Sequence, residues 1–233
     1  ILGLFLCYDR FKDNSWPSFQ AIFSTERLKN MLSINLDIFF RSIMLQAISV
    51  SFLLYGGKFG DVKLAANQIL LQFLHVAAHG LDGFAFAAET LVGQAFGRKD
   101  RTILRKSVKV TSKLAFLLCC TMAIIFFFIG SSLIDVMTTA EDVRSEAKGY
   151  IIFIVLVPIL GASAYMLDGI FVGAMKTKDM RNMMFISVIF YFLALILLVP
   201  HFENIGLWLA LLISFVVRGV TLALRYPSLE KSI

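Results

Sequence analysis

The sequence predicts an all-α fold, a polytopic membrane helix bundle with six transmembrane helices. Three observations support this prediction. Of the 233 residues, 58% are hydrophobic, whereas soluble domains are about 45–50% apolar. The apolar residues form long blocks, and the charged residues, which are 16% of the chain, lie mostly between the blocks. Loops rich in lysine and arginine alternate along the chain with loops that contain few of them, a pattern typical of chains that cross a bilayer repeatedly.

Six apolar blocks are long enough to cross a bilayer, which takes about 20 helical residues. The predicted spans are 35–55, 64–87, 114–136, 150–175, 183–200 and 205–224. The apolar run at 1–8 is too short to span and follows no basic region, so it is interpreted as the end of a truncated helix and not as a signal peptide. The predicted regions are therefore a truncated helix at 1–8, a cytoplasmic linker at 9–34, the six-helix bundle at 35–225 and a cytoplasmic tail at 226–233.

The loops between the spans carry unequal numbers of positive residues. Alternate loops and the two end segments together hold 16 lysines and arginines, and the remaining loops hold 4. Because positive residues collect on the cytoplasmic side of membrane proteins, both ends of the chain are predicted to be cytoplasmic. The same rule explains the net charge of +6. We therefore expect the lipid bilayer as the surroundings and no nucleic acid as a partner.

Six ionisable residues lie inside the predicted spans or at their edges: Asp37, Arg41, Asp82, Glu89, Asp168 and Arg218. Charges at membrane depth are costly and are therefore candidates for function. All six fall in the predicted cytoplasmic half, so we expect them to meet at a similar depth. Asp37 and Arg41 are four residues apart and can pair on one helix, and Arg41 and Arg218 can also extend to the interface. For these three a structural role is the favoured interpretation.

The second span carries a polar stripe. Its members are Gln68, Gln72, His75, His79, Asp82 and Glu89. The steps between them are multiples of helical turns, so all of them lie on one helical face. A face this polar either lines a cavity or packs against other helices, and we favour the cavity.

Asp168 is the other candidate for cation coupling, beside Asp82 and Glu89. It lies near Tyr165 on the fourth span, and no lysine or arginine stands within one helical turn. A carboxyl group without a nearby cation and away from bulk water favours its neutral form and can exchange a proton. It can instead bind Na⁺ together with carbonyl and hydroxyl oxygens, or form a structural hydrogen bond to a neighbouring helix.

Several other classes of protein are less favoured. The sequence contains no GxxxxGK[ST] phosphate-binding loop, and it has no HExxH or GxSxG motif. His75 and His79 with Asp82 and Glu89 offer ligand types for a metal, which leaves an intramembrane metalloenzyme as one alternative. A passive channel or a structural membrane protein is the other alternative, although a channel needs a more continuous polar lining. No metal or organic cofactor is expected.

Four segments resemble the C-terminal lobe of multidrug and toxic compound extrusion (MATE) transporters, in the DinF-like branch. They are LAANQILLQFL at 64–74, LDGFAFAAETLVGQAFGRKD at 81–100, LDGIFVGAMKTKDMRN at 167–182 and GLWLALLISFVVRG at 206–219. The resemblance covers nearly the whole chain. It implies that the six spans are the seventh to twelfth helices of a two-lobe transporter, that an N-terminal lobe is the partner, and that the bacterial inner membrane is the location.

The resemblance also implies a function. Such transporters bind amphipathic, often cationic, compounds in a central cavity and export them as H⁺ or Na⁺ flows inward. Family cation sites in this lobe use carboxylates of the seventh, eighth or tenth helix. Asp168 matches the tenth-helix aspartate and Asp82 lies in the LDG of the eighth, whereas DinF-like relatives have their better supported proton site on the first helix. Gln68, Gln72, His75, His79, Tyr165, Asp37 and Arg41 are the candidates for lining the cavity.

Overall fold

The computed structural model describes residues 24–233. The truncated helix predicted at 1–8 and most of the linker predicted at 9–34 lie outside these residues. The chain divides into two compact units, 1–36 and 37–233. The described part of the first unit is the start of a long helix, and the second unit is a helical bundle.

Every regular element in the described part of the chain is a helix, which confirms the predicted all-α class. The helices are α1 (Thr25–Gly57), α2 (Asp61–Arg98), α3 (Arg101–Met137), α4 (Glu141–Gly149), α5 (Ile151–Gly173) and α6 (Thr177–Lys231). All except α4 are long and apolar enough to cross a membrane. The short helix α4 lies in a loop for which no helix was predicted.

Helix α6 contains a sharp reversal at Glu203, where φ is 46° and ψ is −123°. Two contacts show that its arms, 177–202 and 204–231, run antiparallel. The Ser187 hydroxyl donates to the Ser214 carbonyl over 2.7 Å, and Gly206 packs against the backbone of Leu198. Each arm therefore contains one of the two spans predicted at 183–200 and 205–224.

The helices extend beyond the apolar blocks from which the spans were predicted. Helix α1 begins at Thr25 and not near residue 35, so the end of the predicted linker is helical. No proline or glycine interrupts 25–55, and nothing else in that segment stops a helix once it has started. Helix α2 likewise continues to Arg98, well past the predicted end of its span.

The motif GRKD forms the tight connection between α2 and α3. Lys99 ends α2 in the left-handed conformation, with φ of 54°. Asp100 then starts α3, and its carboxylate accepts hydrogen bonds from the backbone N–H groups of Thr102 and Ile103 over 2.8 and 3.1 Å. A carboxylate at this position satisfies donors that have no partner within the helix. The charged end of the motif therefore has a structural explanation.

Helices α2 and α5 cross in close backbone contact. A Cβ atom at Gly169 would collide with the backbone of Ala85, and one at Gly173 would collide with the backbone of Glu89. Small residues four apart allow this approach in membrane bundles. The crossing places Asp168, the neighbour of Gly169, beside the polar face of α2.

Aromatic packing joins α1 to the second arm of α6. The ring centroids of Phe52 and Trp208 lie 4.9 Å apart in an edge-to-face arrangement, and both side chains are almost completely buried. Rings in this geometry attract one another beyond the gain from burial. These contacts bring the residues of α1 that follow Asp37 against the bundle.

Candidate functional site

Asp168 lies between two arginines from distant parts of the chain. Its Oδ2 atom is 2.6 Å from Nη2 of Arg41 on α1 and 3.8 Å from Nε of Arg218 on the second arm of α6. The prediction that Asp168 has no nearby cation is therefore wrong. That prediction considered only one turn of the same helix, whereas both arginines reach Asp168 from other helices.

The predicted local pair between Asp37 and Arg41 is also wrong. Asp37 is buried and accepts hydrogen bonds from Arg181 Nη1 over 2.6 Å and from Thr177 Oγ1 over 2.9 Å, both at the start of α6. Arg41 turns to Asp168 instead. A buried carboxylate gains most where a guanidinium and further donors surround it, and Asp37 finds those donors on the neighbouring helix.

A cavity of about 230 Å³ lies beside Asp168. Its lining residues are Arg41, Asp82, Ala85, Phe86, Glu89, Tyr165, Asp168, Gly169 and Val172. The structure thus brings together four of the six intramembrane charges, three carboxylates and one guanidinium, whereas Asp37 is not part of this cavity. Between Ser24 and Ile233, neither Asp82 nor Glu89 forms a salt bridge. They are the carboxylates here whose charge is not already compensated by a direct pair.

A second, larger cavity of about 360 Å³ lies among α1, α2, α5 and both arms of α6. Its polar lining consists of Gln46, Ser49, Gln68, His75, Tyr165, Ser187, Ser214 and Arg218. The rest of its wall is apolar and includes Leu45, Phe52, Leu71 and Phe215. Tyr165 lines both cavities, so the two spaces are neighbours. The larger cavity has the size and the mixed lining of a small-molecule site.

Arg218 faces this larger cavity and is only 3% exposed. Its guanidinium carbon lies 5.2 Å from the ring centroid of Tyr165 and 5.6 Å from that of Phe215. The interpretation that Arg218 extends to the interface is therefore wrong, because aromatic rings and the Asp168 carboxylate hold it inside the bundle. Cation–π contacts and a nearby carboxylate compensate part of the cost of its burial.

The polar stripe of α2 is divided between the two cavities. Gln68 and His75 line the larger one, and Asp82 and Glu89 line the smaller one. Gln72 and His79 are exposed and line neither. The Nδ1 atom of His79 lies 2.7 Å from the His75 carbonyl of its own helix, and in the part of the chain described here no three His, Cys, Asp or Glu side chains come close enough to hold a metal ion.

One buried polar cluster was missed in the sequence. The side-chain amides of Asn67 on α2 and Asn204 in α6 exchange hydrogen bonds of 2.7 and 3.1 Å. Trp208 donates its indole N–H to Asn67 Oδ1 over 2.9 Å. Asn67 stands in the motif LAANQ within an apolar block, and a buried amide there requires partners. The need for hydrogen-bond partners could have been predicted from the sequence, but not which residues supply them.

The chain matches a family model and two bacterial proteins over much of its length. Residues 38–198 match the family model described as MatE. DNA damage-inducible protein F of Escherichia coli (strain K12) is 32% identical over 195 residues, which are 84% of this chain and 42% of that protein. Probable multidrug resistance protein NorM of Photorhabdus laumondii is 21% identical over 173 residues, which are 74% of this chain and 37% of that protein.

The fold has a close match among solved structures. The Vibrio cholerae MATE transporter VcmN in its bent form matches with a TM-score of 0.84 at 17% identity, over 99% of this chain and 53% of that one. At this identity the match concerns the fold. The chain spans less than half of each of the two curated relatives and about half of the solved structure.

Proposed function

The chain belongs to the MatE family, whose members are membrane transporters and not enzymes, and we propose that it forms one lobe of a cation-coupled antiporter. The proposed activity is export of amphipathic compounds in exchange for H⁺ or Na⁺. A second, N-terminal lobe would complete the central cavity. The proposed location is the bacterial inner membrane with both ends of this chain in the cytoplasm.

One observation carries the proposal: the smaller cavity, which is lined by acids, and the larger cavity, which is mostly apolar, share the side chain of Tyr165. Two carboxylates of the smaller cavity, Asp82 and Glu89, form no salt bridge with any described residue. Tyr165 lines the smaller cavity together with these carboxylates and also lines the larger cavity. A coupling ion and an organic substrate can therefore bind a few side chains apart, and each can change the binding of the other through the same charges.

We assign the coupling ion to Asp82 and Glu89 before Asp168. Asp168 already has Arg41 at 2.6 Å, so a direct ion pair compensates its negative charge. A proton or Na⁺ on Asp82 or Glu89 would change the electrostatic field around Arg41, which lines the same cavity. The expected consequence is a weaker or rearranged bond between Arg41 and Asp168.

That bond connects α1 to α5, so the ion would change how α1 is held. Alternating access in such transporters moves one bundle against another around a site near the middle of the membrane. In this mechanism the ion pair between Arg41 and Asp168 is stable in one state and is broken or exchanged in the other. The ion pair between Asp37 and Arg181 joins α1 to α6 in both states.

The test uses the full-length gene product in proteoliposomes with separately imposed H⁺ and Na⁺ gradients. Dansylcadaverine and dansylglycine serve as cationic and anionic amphipathic probes with the same fluorescent body. Movement of either probe in the direction opposite to the flow of one ion, and dependent on that ion's gradient, establishes antiport and identifies the ion. Movement that follows only the probe's own gradient indicates a passive channel, and no movement of either probe in folded protein rejects the proposal.

Two variants test the assignment of the ion. Asp82→Asn and Glu89→Gln should each reduce the rate of gradient-driven probe movement at least about tenfold. Each variant removes a carboxylate that acts only in the ion-coupled step, and loss of such an interaction lowers the rate of that step. Asp142→Asn on α4 is the matched control, since Asp142 is exposed and outside both cavities. If both variants keep wild-type coupling, the coupling ion binds elsewhere.

A further inference from the structure

The larger cavity contains a fixed positive charge and no fixed negative one. In the described part of the chain its lining includes no aspartate or glutamate, and Arg218 is its one guanidinium. The carboxylates Asp82, Glu89 and Asp168 line the neighbouring smaller cavity. An organic cation entering the larger cavity would meet Arg218 and, among the described lining residues, no acid. The fixed charge of this cavity therefore has the same sign as the cationic substrate that the family resemblance implies, and it repels such a substrate.

Arg218 has unused hydrogen-bond donors. Its Nε and Nη2 atoms are buried and find no hydrogen-bond partner among residues 24–233. Nη1 has only the Met184 sulfur, at 3.9 Å, and the Asp168 carboxylate is 3.8 Å away and already bound to Arg41. A buried guanidinium without partners is costly. These two nitrogens form one edge of the planar guanidinium, which binds carboxylate, sulfonate or phosphate groups with two parallel hydrogen bonds.

The charge around Arg218 is not balanced by its direct neighbours. Two guanidinium groups, of Arg41 and Arg218, share one Asp168 carboxylate, which leaves one positive charge. An anionic group bound at Arg218 would neutralise that charge and supply the missing acceptors. The remaining wall, with Phe52, Leu71 and Phe215, would contact an apolar body of the same molecule.

We therefore propose that this cavity binds amphipathic organic anions, with the acidic group on Arg218 and the apolar body against α1, α2 and α6. The proposal rests on the transporter function proposed above, and it specifies the class of substrate. Neutral compounds of the same shape would bind more weakly, and cations would bind most weakly.

Binding is measured by fluorescence titration of the full-length protein in lipid nanodiscs, with protein-free nanodiscs as the blank. The probes are dansylglycine, dansylamide and dansylcadaverine, which carry a negative, zero and positive charge on the same body. We expect dansylglycine to bind at least about tenfold more tightly than dansylamide, because a hydrogen-bonded charge pair typically contributes that much or more. Equal affinities, or tighter binding of dansylcadaverine, would overturn the proposal.

Two kinds of variant locate the anion. Arg218→Gln should lower the affinity for dansylglycine to that for dansylamide and leave dansylamide unchanged. If Arg218→Gln does not fold, Gln68→Glu serves instead, because it adds a carboxylate at an exposed lining position with almost no change in shape. It should weaken dansylglycine binding and strengthen dansylcadaverine binding. Gln72→Glu, one turn further along α2 and outside the cavity, is the matched control.

The outcomes distinguish this proposal from the proposed function. Binding of dansylglycine that depends on Arg218, without gradient-driven movement of any probe, supports the anion site and contradicts the antiporter. Gradient-driven movement that is unchanged in Arg218→Gln and Gln68→Glu supports the antiporter and contradicts the anion site. Identical effects of Gln68→Glu and Gln72→Glu likewise contradict it.

Discussion

Substitutions at the two ends of the ion pair between Arg41 and Asp168 should have unequal effects on stability. Asp168→Asn removes the counterion of both Arg41 and Arg218, and breaking a buried ion pair in this way costs about 3–5 kcal/mol. Arg41→Gln leaves Asp168 with Arg218 at 3.8 Å in place of Arg41 at 2.6 Å. Arg218 already attracts Asp168 in the wild type, and Coulomb attraction varies inversely with distance, so about 0.4 of the combined attraction of the two arginines remains. We therefore expect Arg41→Gln to cost about 2–3 kcal/mol.

The assay is SDS titration of the full-length protein in dodecylmaltoside micelles, which gives the free energy of unfolding for both single variants and the double variant. The double variant should cost little more than Asp168→Asn alone, because Arg41 has already lost its partner there. Equal costs of the single variants, or costs that add within about 0.5 kcal/mol in the double variant, would refute the reasoning. Asp142→Asn should change the free energy by less than about 0.5 kcal/mol.

Three further predictions concern the fold and the second lobe. In the same titration Asn67→Ala should cost about 2 kcal/mol, since it breaks three hydrogen bonds worth about 0.6 kcal/mol each in a membrane bundle; Gln72→Ala is the control, and equal effects would contradict the assigned role. Gly169→Ala should destabilise the protein strongly because the added methyl group meets the backbone of Ala85. Gly83 has open space around it, so Gly83→Ala should stabilise α2 by up to about 1 kcal/mol. The reverse order of stabilities would exclude the close crossing of α2 and α5. Proteoliposomes of the 233-residue chain alone should transport neither dansyl probe, and gradient-driven uptake by them would show that one lobe suffices.

The helices and the family followed from local features of the sequence. Apolar blocks of the necessary length identify the spans because a bilayer admits few other structures. The motifs at 64–74, 81–100, 167–182 and 206–219 carried the resemblance that the family match confirms. The ends of the helices were harder to predict, because beyond the apolar block no hydropathy change shows where the helix stops. Helix α4 is too short and too polar to give such a signal.

The candidate site depended on contacts that sequence spacing does not contain. Arg41 and Asp168 are 127 residues apart, and Asp37 and Arg181 are 144 apart. On its own helix, Asp37 had a plausible partner in Arg41, and Asp168 had none. In the structure both acids instead pair with an arginine of another helix. Arg218 was assigned to the interface because arginines near helix ends commonly extend there. Its aromatic neighbours and the reversal of α6, which together turn it inward, were not readable from spacing.

The close crossing of α2 and α5 has a consequence for how such a protein can evolve. With Gly169 and Gly173 against the backbones of Ala85 and Glu89, a larger side chain on α5 requires a simultaneous shift of α2. Substitutions at this crossing therefore require compensating changes on both helices. The distance between the positions of the acidic residues on α2 and α5 is kept, even where the acids are replaced by other residues. In the described part of α1 no glycine lies against the backbone of a neighbouring helix, and from Asp37 onward α1 is attached through side chains such as those of Arg41 and Phe52. Substitutions that change the proposed preference for a substrate or an ion should therefore arise first on that helix.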